Sequence, residues 1–360
     1  MNATLEHPPQ DVSAAFRIGD HQISAAHPAY VIAEAGVNHD ADVNQALRLI
    51  DAAVEAGADA VKFQVFTAAE IATSAARKAD YQQGAAGASQ RDMLSQLELS
   101  DGDFARLRSH CEATGIHFLA TPFSETDVRR LLRLAPPAIK TASTDLNNHL
   151  LMRAVSGAEL PLIVSTGAAT ADEIDAAVDN LTRRGARGRV ALLHCVSCYP
   201  TPLEAANLGA IPALAERFRV PVGYSDHTTS VITGALAVSL GAVILEKHFT
   251  LDRNASGPDH SMSLDPAQLA EYTRYARDAY AARGCGAIGM QPLEREVRAV
   301  ARKSLVARVT IPAGALITRD MLTAKRPSGG IQPDQIETVI GQRARIQIAG
   351  DEPLQWDMLA

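Results

Sequence analysis

Along this chain, polar and ionisable residues recur where short apolar runs end. Y-V-I-A-E finishes at Glu34 and leads into G-V-N-H. A-V-K-F-Q-V-F carries Lys62 and Gln64 two positions apart, which puts them on one face of a strand. H-F-L-A-T ends in Thr121, A-I-K-T-A carries Lys140 and runs on to Ser143 and Asp145, and L-I-V-S ends in Ser165. V-A-L-L-H-C leads to Ser197 and Tyr199, P-V-G-Y-S-D-H holds Ser225 and His227, and A-V-I-L-E-K-H-F carries Glu246 and His248 ahead of Asp259. Two lysines converging with several hydroxyls suit a phosphate or carboxylate ligand. A strand lysine has two other readings: half of an internal ion pair, or a Schiff-base nucleophile as in an aldolase. His227 and His248, ending neighbouring strands, can approach one divalent cation. A two-histidine site completed by water or substrate oxygens suits Mn2+, Mg2+ or Co2+ better than structural zinc. With positions open to substrate, such an ion is a Lewis acid for a carbonyl.

The elements that must position these residues repeat from residue 30 to residue 283: a short β-branched run, then an amphipathic segment ending near glycine. Strands are expected at 30–34, 60–66, 117–121, 138–142, 162–165, 190–195, 221–225 and 242–249. Continuous apolar runs of this kind fit strands covered on both faces of a parallel sheet. The helix signals agree. Gly57 stops a segment whose one face holds Leu47, Ile50 and Val54, Ser100-x-x-Asp103 has the form of a capping box, and Asp265-Pro266 is an N-cap followed by proline. Eight β/α units predict a TIM barrel, the fold that gathers chemistry at the C-terminal ends of its strands. A doubly wound sheet is the alternative, but no glycine-rich fingerprint follows the first strand.

Before the barrel, F-R-I-G-D-H-Q-I reads as a β-hairpin able to plug its lower end. The connection 67–100, with R-K-A-D-Y-Q at 77–82, is long enough to be a lid. After Gly284 the texture changes. The domain reading is 1–285 for hairpin and barrel, 286–300 for a linker, and 301–360 for a small, mostly β module. About 60 residues make a marginal core, so this module should lean on the barrel or on a partner subunit.

Bulk composition narrows the function classes. The chain has 360 residues, 47% hydrophobic and 21% charged, with net charge −7, ordinary for a globular enzyme-sized protein. Net negative charge without a basic run argues against nucleic-acid binding. No stretch reaches the ~20 apolar residues of a membrane span. The opening M-N-A-T-L-E-H-P-P-Q-D-V-S-A-A lacks a basic start and an apolar centre, so no secretory signal is expected. Four cysteines, at 111, 195, 198 and 285, give no disulfide framework, and Cys195-x-x-Cys198 lacks a second pair. The expected compartment is the cytoplasm.

Together, A-E-A-G-V-N-H, V-K-F-Q-V-F, T-P-F-S, K-T-A-S-x-D, L-H-C-V-S-C-Y-P-T-P, G-Y-S-D-H-T, E-K-H-F-T-L and G-P-D-H resemble the sialic acid synthase family, in order and spacing, from about residue 16 to the end. The tail resembles that family's antifreeze-like (SAF) domain. The resemblance implies condensation of phosphoenolpyruvate with the open-chain aldehyde of an N-acetylated amino sugar, with release of phosphate. It implies phosphoenolpyruvate binding by Lys62, Thr121, Lys140, Ser143, Ser165 and Ser225, and metal ligation by His227 and His248. It places Glu34 near the reacting carbons and Gln64, Tyr199 and Asp259 around the sugar. It implies that Arg326, in K-R-P-S-G-G, reaches over the site of a partner in a domain-swapped homodimer. Asp145 and Ser197 stand where the family often has glutamate and asparagine, which bears on the sugar. The 67–100 segment is more similar to the legionaminic than to the neuraminic branch. A lysine Schiff-base aldolase and a non-enzymatic carbohydrate-binding protein are the alternatives.

Overall fold

The computed structural model describes residues 16–360; the expectation about a secretory signal falls on residues 1–15, outside them. Strands β1 (Phe16–Ile18) and β2 (His21–Ile23) form an antiparallel hairpin. Eight parallel strands follow: β3 (Tyr30–Gly36), β4 (Ala60–Val65), β5 (His117–Pro122), β6 (Ile139–Thr141), β7 (Leu162–Ser165), β8 (Val190–Cys195), β9 (Val222–Asp226) and β10 (Ile244–His248). Their order is β5-β4-β3-β10-β9-β8-β7-β6, so β3 and β10, first and last in the chain, pair side by side as a barrel requires. The eight strands expected from sequence are these eight, with ends shifted by two residues or fewer.

Strand alternation sorts the side chains into two cores. Val31, Ala33, Val61, Phe63, Leu192, Val222 and Leu245 face outward and join the helices in the larger core. Ile32, Ala60, Leu119, Ala138, Ile163, Ala191, Leu193 and Ile244 face inward and fill the lower barrel, where Phe16, Ile18 and Ile23 of the hairpin close it. Burying each of those three contributes roughly 1.5–3 kcal/mol, which ties an otherwise marginal hairpin to the barrel. Two residues further along each strand, the inward position turns polar: Glu34, Lys62, Thr121, Lys140, Ser165, Cys195, Ser225 and Glu246. The barrel is therefore greasy below and charged above. Gly223 permits the packing between these layers, because a Cβ there would meet the Ile244 carbonyl oxygen at 2.3 Å.

The helices begin as their sequences direct. Ser100 accepts from the Asp103 amide and opens Asp101–Thr114, which Gly115 ends in the left-handed conformation. Asp265 caps Pro266–Arg283 with proline in the first turn. The 67–100 connection carries short helices at Ala68–Ile71 and Gln90–Ser95, and its Leu97 packs with Val37 and Phe66. Among the described residues no helix is long and apolar enough to cross a membrane.

The chain divides after Gly284 into two compact units. The second opens with a short helix, Arg295–Ala301, and pairs β11 (Ser304–Ala307) with β12 (Leu322–Lys325) antiparallel. Its own small core includes Leu305, Ile311, Ile317, Leu322 and Ile348.

Candidate active site

The polar inward residues line a cavity of about 80 Å³ at the C-terminal ends of the barrel strands. At its centre two lysines share two carboxylates. Lys62 Nζ is 2.7 Å from Glu34 Oε2 and donates to Thr121 Oγ1 at 2.9 Å. Lys140 Nζ donates to Ser165 Oγ at 2.7 Å and to the Thr141 carbonyl at 3.0 Å. Glu246 stands between them, 3.6 Å from each ammonium, and accepts from Ser225 Oγ at 2.8 Å. All four ionisable side chains are buried. Both ammonium groups and three hydroxyls thus face one small space, a site for a multiply charged anion.

The two carboxylates are driven apart. Burial pushes Glu34 up, and Lys62 only partly offsets this, so its carboxyl rises to about 7. Burial acts on Glu246 in the same direction, but Lys140 and Lys62 outweigh it and bring it down to about 2. Glu246 is therefore a fixed negative charge, and Glu34 is poised to exchange a proton near neutrality. Burial lowers the Lys140 ammonium; for Lys62 the neighbouring Glu246 and Glu34 outweigh burial and raise it.

Beside this cluster the rings of His227 and His248 lie 5.5 Å apart between centroids. His227 Nδ1 is 2.8 Å from the Val196 carbonyl oxygen, and donation there frees the other ring nitrogen as a ligand. His248 Nδ1 is buried, finds no hydrogen-bond partner among the described residues, and lies 3.7 Å from Asp259 Oδ2. Burial holds the His248 imidazole well below its ordinary value, in the neutral form that binds metal. Burial raises Asp259 to about 6. An orphaned imidazole nitrogen next to a second histidine fits a divalent cation, with these two rings as its protein ligands.

The remaining sequence-predicted residues divide. Gln64, Ser143 and Tyr199 line the cavity, and the Tyr199 ring is 4.3 Å from that of His227. Asp259 sits just outside it: a Cβ on Gly36 would be 3.4 Å from both Asp259 Oδ2 and Glu34 Oε1, and 3.6 Å from Gln64 Nε2. Ser197 is also behind the wall, grouped with Ser143 and Cys195 around Gly167, where a Cβ would approach all three within 2.9 Å. Asp145 accepts from Asn148 on a short helical turn, its carboxyl raised by burial, and does not line the cavity. Arg326 belongs to the second unit, exposed just after β12.

Two residues of the site had no role assigned from sequence. Glu246 is the charge on which both lysines converge; its signal was present, two positions before His248 on the same strand face. Cys195 lines the cavity, its Sγ 3.7 Å from His227 Nδ1 and 3.4 Å from Ser143 Oγ. Cys198 is exposed, and both thiols are free.

Known proteins resemble this chain over most of its length. The NeuB family model matches residues 49–287 and the SAF domain model residues 302–360. An N,N'-diacetyllegionaminic acid synthase of Campylobacter jejuni is 39% identical over 325 residues, covering 89% of this chain and 97% of that one. The N,N'-diacetyllegionaminic acid synthase of Legionella pneumophila is 37% identical over 333 residues, with 91% and 94% covered. The crystal structure of an N-acetylneuraminic acid (sialic acid) synthetase from Leptospira borgpetersenii, in complex with citrate, superposes with a TM-score of 0.72 at 34% identity, covering 79% of this chain and 94% of that one.

Proposed function

Because the chain belongs to the NeuB family of sialic acid synthases, with a C-terminal SAF domain, we propose that it joins phosphoenolpyruvate to the open-chain form of an N-acetylated amino sugar and releases phosphate. It is a biosynthetic enzyme of this family. The acceptor is 2,4-diacetamido-2,4,6-trideoxymannose or N-acetylmannosamine; the identity to legionaminic acid synthases supports the first. The observation that carries the proposal is the pair of buried ammonium groups, Lys62 and Lys140, with Thr121, Ser165 and Ser225 about one cavity.

The residues divide the work as follows. Lys62 and Lys140 hold the phosphate and carboxylate of phosphoenolpyruvate, displacing their present contacts with the carboxylates, and the hydroxyls fix its orientation. C3 of phosphoenolpyruvate then bonds to the aldehyde carbon, and C2 takes up the oxygen of water. Glu34, near 7, accepts the proton that this water loses and returns it to the new hydroxyl on the former aldehyde carbon. The C2–O bond to phosphate breaks, the C2 hydroxyl proton leaves with the phosphate, and a ketone remains. Both ammonium groups stabilise the charge that gathers on the leaving oxygen. Gln64 and Tyr199, with Asp259 behind, face the acceptor. A divalent ion held by His227 and His248, manganese before magnesium or cobalt, would supply the Lewis acid that polarises the aldehyde.

The tail has a role in the same proposal. Ile288, Leu293, Val297 and Val300 expose apolar side chains within residues 285–301. Covering them against a second copy would support a domain-swapped homodimer in which Arg326 completes the partner's site.

Phosphate release measured with phosphoenolpyruvate and each acceptor tests the activity. Release should require both substrates and stop on chelation, returning with Mn2+. Release that no N-acetylated hexose stimulates overturns the proposal.

A further inference from the structure

The opposite end of the barrel carries a second group of ligating side chains that the reaction does not use. The hairpin turns through Gly19 and Asp20, since Ile18 pairs with His21. Gly19 has φ +58°, and a Cβ there would meet the His117 ring at 2.7 Å, so only glycine lets the turn press on the start of β5. That contact brings Asp20 Oδ1 to 3.0 Å from His21 Nδ1 and 3.2 Å from His117 Nε2. Among the described residues, this is the one cluster of three or more His, Cys, Asp or Glu side chains whose donor atoms all lie within 4.8 Å of one another. The mouth pair, His227 and His248, belongs to no such cluster.

We propose that Asp20, His21 and His117 form a divalent-metal site of the zinc and cobalt class that clips the hairpin to the floor of the barrel. Tetrahedral coordination with bonds of ~2.0–2.1 Å separates neighbouring donors by about 3.4 Å. The two Asp20 distances, 3.0 and 3.2 Å, are within a few tenths of an ångström of that. The other nitrogen of the His117 ring already has a partner, as a ligating histidine requires, and that of His21 faces a carboxylate at longer range. His117 Nδ1 is 2.8 Å from the hydroxyl of the buried Tyr30. His21 Nε2 is 3.7 Å from Asp59 Oδ1, while Asp59 Oδ2 accepts from the Val31 amide and from Arg277, each at 2.7 Å. Asp20 is exposed, which leaves a fourth position for water. Two imidazoles and one carboxylate favour zinc or cobalt over magnesium.

The alternative is that Asp20 only accepts hydrogen bonds from the two rings, and a metal titration separates the two readings. The full chain with H227A and H248A, which silence the mouth, is stripped with chelator and titrated with Co2+. One Co2+ per chain is expected, with the intense visible absorption of tetrahedral cobalt, displaced by Zn2+. Zn2+ should raise the thermal midpoint in proportion to the logarithm of its concentration. D20N and H117Q should each weaken Co2+ binding at least tenfold and remove the Zn2+-dependent rise. D20N alters an exposed side chain and decides the matter if H117Q folds poorly. No stoichiometric Co2+ binding in this background, or binding that D20N leaves unchanged, overturns the site.

Discussion

Lys140→Met probes the anion site most directly. The substitution keeps the length and apolar stem of the side chain and removes one charge. It deletes the donor to Ser165 at 2.7 Å and one of the two ammonium groups at 3.6 Å from Glu246. At 3.6 Å and an effective dielectric near ~20, a full charge pair interacts by roughly 4–5 kcal/mol. A phosphate or carboxylate oxygen replacing Glu246 would experience about the same field. Removing a single donor to a transition-state oxyanion costs about 2.7–4 kcal/mol, below that Coulombic ceiling because water and neighbouring groups partly compensate. The expected loss in kcat/KM for phosphoenolpyruvate is therefore roughly 10²–10³-fold. The KM of the acceptor sugar should change little, since Gln64 and Tyr199 are untouched. Glu246 keeps Lys62 at 3.6 Å, so the variant should fold, which its thermal midpoint checks. Steady-state phosphate release with each substrate varied in turn measures the split. A loss under tenfold, or one that falls on the sugar KM, refutes the assignment of Lys140 to the anion. Borohydride trapping of wild-type Lys140 with a keto acid would refute it in favour of a Schiff-base aldolase.

Three further outcomes are expected. The Glu34 carboxyl, raised to about 7, is protonated and unable to accept a proton below that value, so kcat/KM should rise with pH through about 7. Glu34→Gln should remove that limb and slow the reaction by ~10²–10⁴-fold; a limb that persists in the variant assigns it to another group. If the proposed swapped dimer forms, Arg326→Ala and Lys140→Met should each be impaired alone, yet mixing them under subunit exchange should restore activity, because one site of the mixed dimer is then intact. No recovery in a mixture shown by light scattering to be dimeric counts against the swapped arrangement. Asp226→Asn should lower stability by about 3–5 kcal/mol in urea unfolding, since it leaves Lys247, 3.0 Å away and buried, without its counter-charge. Adding Lys247→Met should return much of that loss, and a double variant as unstable as the single one would show that the pair is not the cause.

What could be read from the sequence follows from how far each signal travels along the chain. The strands were legible because their apolar runs are local, and the mouth residues because a TIM barrel puts every strand end at one rim. Glu34, Lys62, Lys140, Ser165, Ser225, His227 and His248 do meet there. Rank within the site was not legible. Glu246 and Lys247 are adjacent, both ionisable and both buried, yet alternation sends the first into the cavity and the second outward to Asp226. Only the register of β9 against β10, which pairs Lys247 with Asp226 and Glu246 with Ser225, separates an active-site charge from a structural one. Asp145 and Ser197 show the converse: sequence proximity to a strand end did not bring them to the cavity wall, although Ser143 and Tyr199, from the same two connections, reach it. The floor cluster lay furthest from view. Asp20 and His117 are 97 positions apart, and nothing local to His117 distinguishes it from an ordinary strand-start histidine. It acquires a possible function only when the hairpin folds back across the barrel, so a sequence reading that searches strand C-termini looks at the wrong end of β5 to find it.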